Sequence, residues 1–482
     1  MSNVLFSHSY YYKLDSKQWN TGMPYPPLGT IYAASYLREN GHSVSLFDVC
    51  LKDSPQEIEA ILKAEKPDIL VLYDDGFNYL TKMCLTTMRE AAFDMMKMAK
   101  KHGCKIIVSS SDSTDHFKQY LNEGADVILL GEGEISLLQT VNAFSHASEI
   151  QEIEGICFKK DTDIVNTGKR KVLKDLDHLP TPAWDLINVE AYRKIWEHHG
   201  HEFTLNIATT RGCPYHCNWC AKPIYGQRYN VRSPQRVVEE IQLIQKNYGV
   251  SKFWMCDDIF GLKPGWVHQF NDELKNVNTT IRYKIQSRAD LLLKENNIDA
   301  LVSSGLYEVW IGAESGSQKV LDAMDKGTTI AQIGESTKLL QAKEVRVAYF
   351  LQFGYLDETK EDIDATLKML LQNMPDDIGV SVSYPLPGTP FYEKVKSQMG
   401  AKVNWTDSDD LAMMFQNTFN QSYYKTLHRL VHKIFRNAQA KQFLNKKGYG
   451  SKTGVRMVLK RMYYAPIIAN LQYKLNQLSN TK

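Results

Sequence analysis

The chain has 482 residues, 43% hydrophobic and 23% charged, a globular composition too long for one core and expected to fold as two or three domains. It contains no run of about eighteen apolar residues, and its opening "MSNVLFSHSYYYK" has no basic stretch followed by an apolar one, so neither a spanning helix nor a secretory leader is expected and a cytoplasmic, thiol-reducing setting is. Net charge is +2, yet thirteen of the 57 Lys and Arg, and none of the 55 Asp and Glu, follow residue 420, a basic tail suited to an anionic membrane surface, a nucleic acid or an acidic partner protein.

Five strand-like runs, "VLFSHSYYY", "SVSLFDVCL", "DILVLYDD", "KIIVSSSD" and "DVILLGEGE", alternate with the helical patterns "GTIYAASYLRENG", "PQEIEAILKAEK", "MREAAFDMMKMAKKHG" and "DHFKQYLNEG". The alternation predicts a parallel sheet with helices on both faces, a Rossmann-like domain over residues 1–148 whose ligand sites lie beyond the carboxyl ends of the strands. Residues 149–202 read as a hairpin, "EGICFKKDTDIVNTGKRKV", and a linker, "LDHLPTPAWDLI". Over residues 203–400 a second series follows: "FTLNIATT", "KFWMCDDIF", "RYKIQSR", "EVWIGAES", "RVAYFLQFG" and "DIGVSVSYP", each but the last succeeded by a helical stretch. Six such units predict a partial (β/α)6 barrel, with function again at the strand ends. Residues 401–482 read as a basic, mainly helical region. The predicted fold class is α/β.

Three of the eight cysteines, Cys213, Cys217 and Cys220, lie in "RGCPYHCNWC" at C-x3-C-x2-C spacing, just after the first strand of the second series. Thiolates bind soft metals, and four of them saturate a tetrahedral zinc or a cubane cluster. Three from one tight loop leave one iron of a four-iron cluster without a protein ligand, and an open iron is a reaction site. A structural zinc completed by Cys256 or His216, and three incidental thiols, are the other readings of this spacing.

With Trp219 before its third cysteine, the loop resembles that of the radical S-adenosylmethionine (SAM) enzymes. "MCDDIF", "QSRADLL", "IGAESGSQKVLDAMDKGTT", "FLQFGYLDETKEDI" and "YPLPGTPFYEKV" follow in the order of the branch with an N-terminal cobalamin-binding domain, which includes anaerobic magnesium-protoporphyrin monomethyl ester cyclases and radical SAM C-methyltransferases. The resemblance implies a [4Fe-4S] cluster on Cys213, Cys217 and Cys220, with SAM chelating the open iron and yielding a 5'-deoxyadenosyl radical. It implies that Asp257 and Asp258 face the SAM amine, that Arg288 faces its carboxylate, and that Glu314 and Ser315 lie near its ribose and carboxylate. "GYLDET" lacks the Pro-Gly pair of the family's Gly-x-Pro-Gly-Glu-Thr but keeps Glu358 and Thr359, the latter placed to cap a helix.

"YPPLGTIYAASYLRENGHSVSLFD" and "ADVILLGEGE" are similar to the opening and the last strand of the branch's cobalamin domain. This implies cobalamin near Pro27, Leu28, Gly29, Ser109, Ser110, Gly131 and Glu132. "IIVSSSDSTDHF" stands where the family commonly has Gly-Gly-Pro-His, with small serines still leaving room for close approach. The leading implied reaction is methyl transfer to an unactivated carbon. Oxidative cyclisation or rearrangement, hydrogen abstraction without cobalamin, and a non-catalytic cluster-binding regulatory role stay open. The expected substrate is a small molecule, in particular a lipid or isoprenoid, reached through peripheral contact of the basic C-terminal region with the inner face of the membrane. The expected electron donor is a flavodoxin or ferredoxin, and no nucleic acid is expected.

Overall fold

A computed structural model describes residues 1–220, 224–294 and 297–479. They form two compact units, one comprising Met1–Pro214, Ala221–Tyr283 and Asn404–Asp410, the other Tyr215–Cys220, Lys284–Val403 and Leu411–Lys482.

In the first unit, β1 (Asn3–Ser7), β2 (Ser43–Phe47), β3 (Ile69–Tyr73), β4 (Lys105–Ser109) and β5 (Val127–Leu129) are parallel and are joined by an antiparallel hairpin of β6 (Ile156–Lys160) and β7 (Asp163–Asn166). The strand order is β2-β1-β3-β4-β5-β6-β7. The period-two alternation of each strand divides its side chains between two cores. Leu5, Leu70, Leu72, Ile106 and Val108 pack with Met95 and Met96 of the helix Thr86–Lys101. Val4, Phe6, Val71 and Ile107 pack with Ala33 and Leu37 of the helix Leu28–Glu39 and with Leu137 and Val141 of the helix Glu134–Ser145. Such double coverage explains why the central strand "ILVLY" is buried along its whole length. The hairpin, read from sequence as part of the connection, is the antiparallel edge of this sheet, with Ile156, Cys157 and Phe158 opposite Leu129, Ile128 and Val127. The linker is tied to the same unit: Ser35 Oγ donates to the Thr181 carbonyl at 2.7 Å and the Tyr192 hydroxyl to Asp48 at 2.7 Å.

The second series begins in this unit with β8 (Leu205–Ile207). A short antiparallel ribbon of β9 (Thr210–Arg211) and β10 (Asn230–Val231) follows, and β11 (Lys252–Met255) lies parallel to β8. β12 (Arg282–Ser287) carries the chain from the first unit into the second. There β13 (Leu306–Glu314), β14 (Arg346–Phe353) and β15 (Asp377–Val382) run parallel. The helices between them, Ile330–Ala342 and Lys360–Asn373, start at capping boxes built by Thr329 with Gln332 and by Thr359 with Asp362. The helices Gln421–Lys447 and Lys452–Ser479 pack along each other. The predicted α/β alternation and the helical C-terminal region are thus both present. Among the described residues, no helix is long and apolar enough to cross a membrane.

Candidate functional site

The cysteine loop leaves β8 through Thr209 and Thr210. Both amide N–H groups donate to Oδ1 of Asp257, at 2.7 and 2.8 Å, while the Thr209 hydroxyl meets Oδ2 at 2.5 Å. Asp257 is 1% exposed, and burial pushes its carboxyl up to about 7 despite these donors. The resemblance assigned this carboxylate to the SAM amine; the structure turns it onto the start of the loop. Next in the loop, Gly212 has φ +85°, and a Cβ there would collide with the Arg228 carbonyl oxygen, so the ribbon can close only over glycine.

Arg211 is held between two carboxylates, with Nη1 donating to Glu132 and Nη2 to Glu134, each at 2.7 Å. The three side chains are nearly inaccessible, at 3%, 6% and 1%. The other oxygen of Glu132 accepts the Leu173 N–H at 2.5 Å, and burial raises the Glu132 carboxyl against the pull of Arg211. Glu132, read as a cobalamin contact, is therefore a strut under the cysteine loop. Asp258 accepts Lys82 Nζ at 2.6 Å.

In the second unit, Asn218, between Cys217 and Trp219, is buried and anchors the loop. Its Nδ2 donates to the Ala323 carbonyl at 2.7 Å and to Asp325 at 3.0 Å, its Oδ1 accepts the Tyr355 hydroxyl at 2.7 Å, and its own amide donates to the Met324 carbonyl at 3.0 Å. Arg288 lies flat over the Tyr215 ring, 3.7 Å from its centroid. Its Nε donates to Asp290 at 2.9 Å and Nη2 to Gly327 O and Thr328 Oγ1 at 3.2 and 3.1 Å, which leaves Nη1 directed at Cys217 Sγ, 4.0 Å away.

Glu314 ends β13 in the left-handed region, at φ +56°, just past a bulge, and pairs with Lys326 at 2.8 Å. Burial opposes the charge of Lys326, but Glu314 and Cys217 beside it hold its pKa above the ordinary lysine value. A Cβ at Gly312 would stand 2.6 Å from Lys326 Nζ, so the Gly of "IGAES" makes room for this pair. Ser315 is fully buried, accepting the Ser317 N–H and sharing a hydrogen bond with Thr366, and so braces the turn. In "GYLDET", Asp357 takes φ +59°, supplying the left-handed residue that the missing glycine would give, and Thr359 caps the next helix as expected.

At the carboxyl edge of the first sheet, Pro27 and Leu28 start the helix Leu28–Glu39, and the Gly29 N–H donates to Asp75 at 2.9 Å. Ser109 ends β4, and Ser110 caps the helix Ser111–Asp115 in a capping box with Ser113. Gly131 has φ +81°. Facing this edge are Ile224 and Tyr225, which follow the cysteine loop: a Cβ at Gly76 would be 3.1 Å from the Tyr225 hydroxyl, and one at Gly131 would be 3.5 Å from the Ile224 carbonyl.

Cys213, Cys217 and Cys220 are all half-buried and outside any disulfide. Among the described residues, no three His, Cys, Asp or Glu side chains are gathered at metal-binding geometry. Cys256 is buried, with Sγ 3.3 Å from the Ile207 carbonyl and its thiol pushed well up by burial, while His216 is exposed.

The radical SAM superfamily matches residues 207–370. The chain carries a radical SAM domain. It is similar to an uncharacterized methyltransferase of Pyrococcus horikoshii, 26% identical over 91% of this chain and 94% of that protein. It is also similar to the anaerobic magnesium-protoporphyrin IX monomethyl ester cyclase of Cereibacter sphaeroides, 26% identical over 78% of this chain and 61% of that one, and to the hopanoid C-3 methylase of Methylococcus capsulatus, 23% identical over 77% and 69%. Among solved structures, the cobalamin-dependent radical SAM enzyme OxsB, with aqua-cobalamin and SAM bound, superposes with a TM-score of 0.73 at 16% identity over 99% of this chain and 80% of that chain. The radical SAM methyltransferase TsrM from Kitasatospora setae, with cobalamin and a [4Fe-4S] cluster bound, gives 0.68 at 16% over 83% and 75%. The fold is that of these enzymes, so the resemblance read from the motifs holds.

Four residues with evident roles escaped the sequence reading: Lys82, Arg211, Asn218 and Lys326. Asn218 and Arg211 sit inside the cysteine motif, and Lys326 lies within the quoted run "DAMDKGTT", so position along the chain was the available signal.

Proposed function

We propose that the chain is a radical SAM enzyme that functionalises an unactivated carbon by methyl transfer, with a [4Fe-4S] cluster on Cys213, Cys217 and Cys220, SAM on the open iron, and cobalamin at the carboxyl edge of the first sheet. The observation that carries this reading is the three-cysteine loop at the end of the first strand of a radical SAM domain. The chemistry of the donors supports a cluster: three half-buried thiols in one loop, one of them, Cys217, beside the cations Arg288 and Lys326, which offset the negative charge of thiolates. Arg288 presents Nη1 for a SAM carboxylate, held in direction by Asp290 and Thr328. Lys326 holds Glu314 in its strained position.

When bound, the cluster and SAM supply a radical that removes a hydrogen atom, and cobalamin supplies the methyl group. The likeness to cobalamin-binding radical SAM enzymes supports cobalamin at the first sheet's carboxyl edge, where Gly131 would hold it and which Ile224 and Tyr225 face. The substrate class we propose is a lipid or isoprenoid, supported by the likeness to a hopanoid methylase and by the basic C-terminal region, with peripheral contact to an anionic membrane and a flavodoxin or ferredoxin as electron donor.

The test is anaerobic reconstitution of the full chain with iron, sulfide and hydroxocobalamin, then metal and corrin quantitation and assay of dithionite-reduced protein with SAM. Four irons per chain with 5'-deoxyadenosine formation, both lost in Cys213→Ala, Cys217→Ala and Cys220→Ala, is the expected result. Zinc without iron overturns the reading, and a working cluster without corrin removes cobalamin from it.

A further inference from the structure

The helix Lys452–Ser479 is apolar on two faces. Leu471 and Leu475 turn inward and are buried, and Tyr464 meets Lys433 of the helix Gln421–Lys447, with Nζ 5.0 Å from the ring centroid. The opposite face is exposed: Val455, Leu459, Met462, Tyr463 and Tyr473 are 55%, 59%, 68%, 63% and 64% accessible. Steps of four, three, one and ten residues keep these five side chains on one stripe of a helix, about 27 Å long at 1.5 Å per residue. Pro466 and the exposed Asn470 interrupt the stripe before Tyr473, so its core is Val455, Leu459, Met462 and Tyr463; single exposed apolar residues are ordinary, whereas a cluster of large ones marks a surface that is covered in use.

We infer that this stripe is a membrane-docking face that lies in the plane of an anionic bilayer surface. Charge selects this occupant. Lys452, Arg456 and Lys474 are exposed along and beside the stripe, and no Asp or Glu occurs anywhere from residue 421 to 482. Pairing with a second copy of this face would set cations against the same cations with no carboxylate to offset them, whereas anionic headgroups neutralise them while the Leu, Met and Tyr side chains enter the acyl boundary. With its exposed apolar side chains on one side, the helix would lie flat on such a surface. The face gives a location to the membrane contact of the proposed function and rests on that reading only for its purpose, delivery of a lipid-like substrate.

The experiment is sedimentation of the full chain with phosphatidylglycerol–phosphatidylcholine vesicles and with phosphatidylcholine vesicles alone. Binding to the anionic vesicles only is expected, weakening as salt rises from about 0.1 to about 1 M. Leu459→Glu combined with Met462→Glu removes two side chains worth about a factor of ten or more each in partitioning and should lower binding at least about tenfold with thermal unfolding unchanged. Lys452→Gln, Arg456→Gln and Lys474→Gln together should weaken anionic binding as well. Absence of co-sedimentation, or binding indifferent to both sets of substitutions, overturns the inference. So does a dimer in analytical ultracentrifugation that Leu459→Glu and Met462→Glu dissolve, which would assign the stripe to a second copy. Vesicle binding needs neither cluster nor SAM, so failure of the radical chemistry would leave this result readable.

Discussion

Asp257 gives a quantitative handle on the cysteine loop. Its Oδ1 takes both the Thr209 and Thr210 amides, while Oδ2 meets the Thr209 hydroxyl at 2.5 Å, a place where a carboxylic O–H can donate. With the folded pKa raised from 3.8 to about 7 by burial, the folded chain keeps a proton between those values that the unfolded chain has lost. Its contribution to stability is therefore fully present below about pH 4, falls as pH rises to about 7, and levels off above, by about 4 kcal/mol in all at about 1.4 kcal/mol per unit. Asp257→Asn fixes the neutral pattern: the amide oxygen accepts the two N–H groups and the NH2 donates to Thr209. Between pH 5 and pH 8 the unfolding free energy of this variant should gain about 3 kcal/mol on the wild type, a difference that cancels the titration of every other group. Asp257→Ala instead strands two buried amides, at about 1–3 kcal/mol each, and should be destabilised at all pH values with lowered iron loading. Urea unfolding of the full chain at the two pH values decides the matter. Parallel pH profiles for wild type and Asp257→Asn, or an Asn variant as damaged as the Ala one, would refute the assignment.

Arg211→Ala leaves Glu132 and Glu134 facing each other without their cation, which should cost about 3–5 kcal/mol. Because protonation relieves that repulsion, the loss should be larger at pH 8 than at pH 6; equal losses in denaturant unfolding would count against the strut. Asn218→Ala removes two donated hydrogen bonds and the acceptor of the Tyr355 hydroxyl, and should lower iron per chain with all three cysteines intact. Tyr355→Phe, which keeps the Asn218 donors in place, should retain most of the iron; a fully loaded Asn218→Ala protein would show that the cysteines position themselves.

The strands were legible because a doubly covered parallel sheet writes itself as short apolar runs separated by helical periods, as in "ILVLY" and "KIIVS". The cysteine motif stood out because its spacing within one loop is local. The roles of Asp257 and Glu132 were not, because strand-end carboxylates look alike until their partners are known, and those partners lie 48 and 79 residues away along the chain. The departure in "GYLDET" looked larger than it is, since Asp tolerates the left-handed turn that glycine usually supplies.

On the proposed reading the loop holds a cluster, and residues on either side of the cysteines fix its backbone. Thr209 and Thr210 are held by Asp257, Arg211 by Glu132 and Glu134, and Asn218 by the 323–325 turn and Tyr355, each contact made by a residue that is not a cysteine. The cysteines between them stay half-buried, with the cation Arg288 nearest Cys217. Anchors made by backbone amides and buried ion pairs are insensitive to the redox state of a metal, whereas anchors made through the thiols would have to break before each loading. On that reading, therefore, the contacts of Asp257, Arg211 and Asn218 govern how fully iron is taken up, and iron quantitation in Asp257→Ala, Arg211→Ala and Asn218→Ala against wild type checks it.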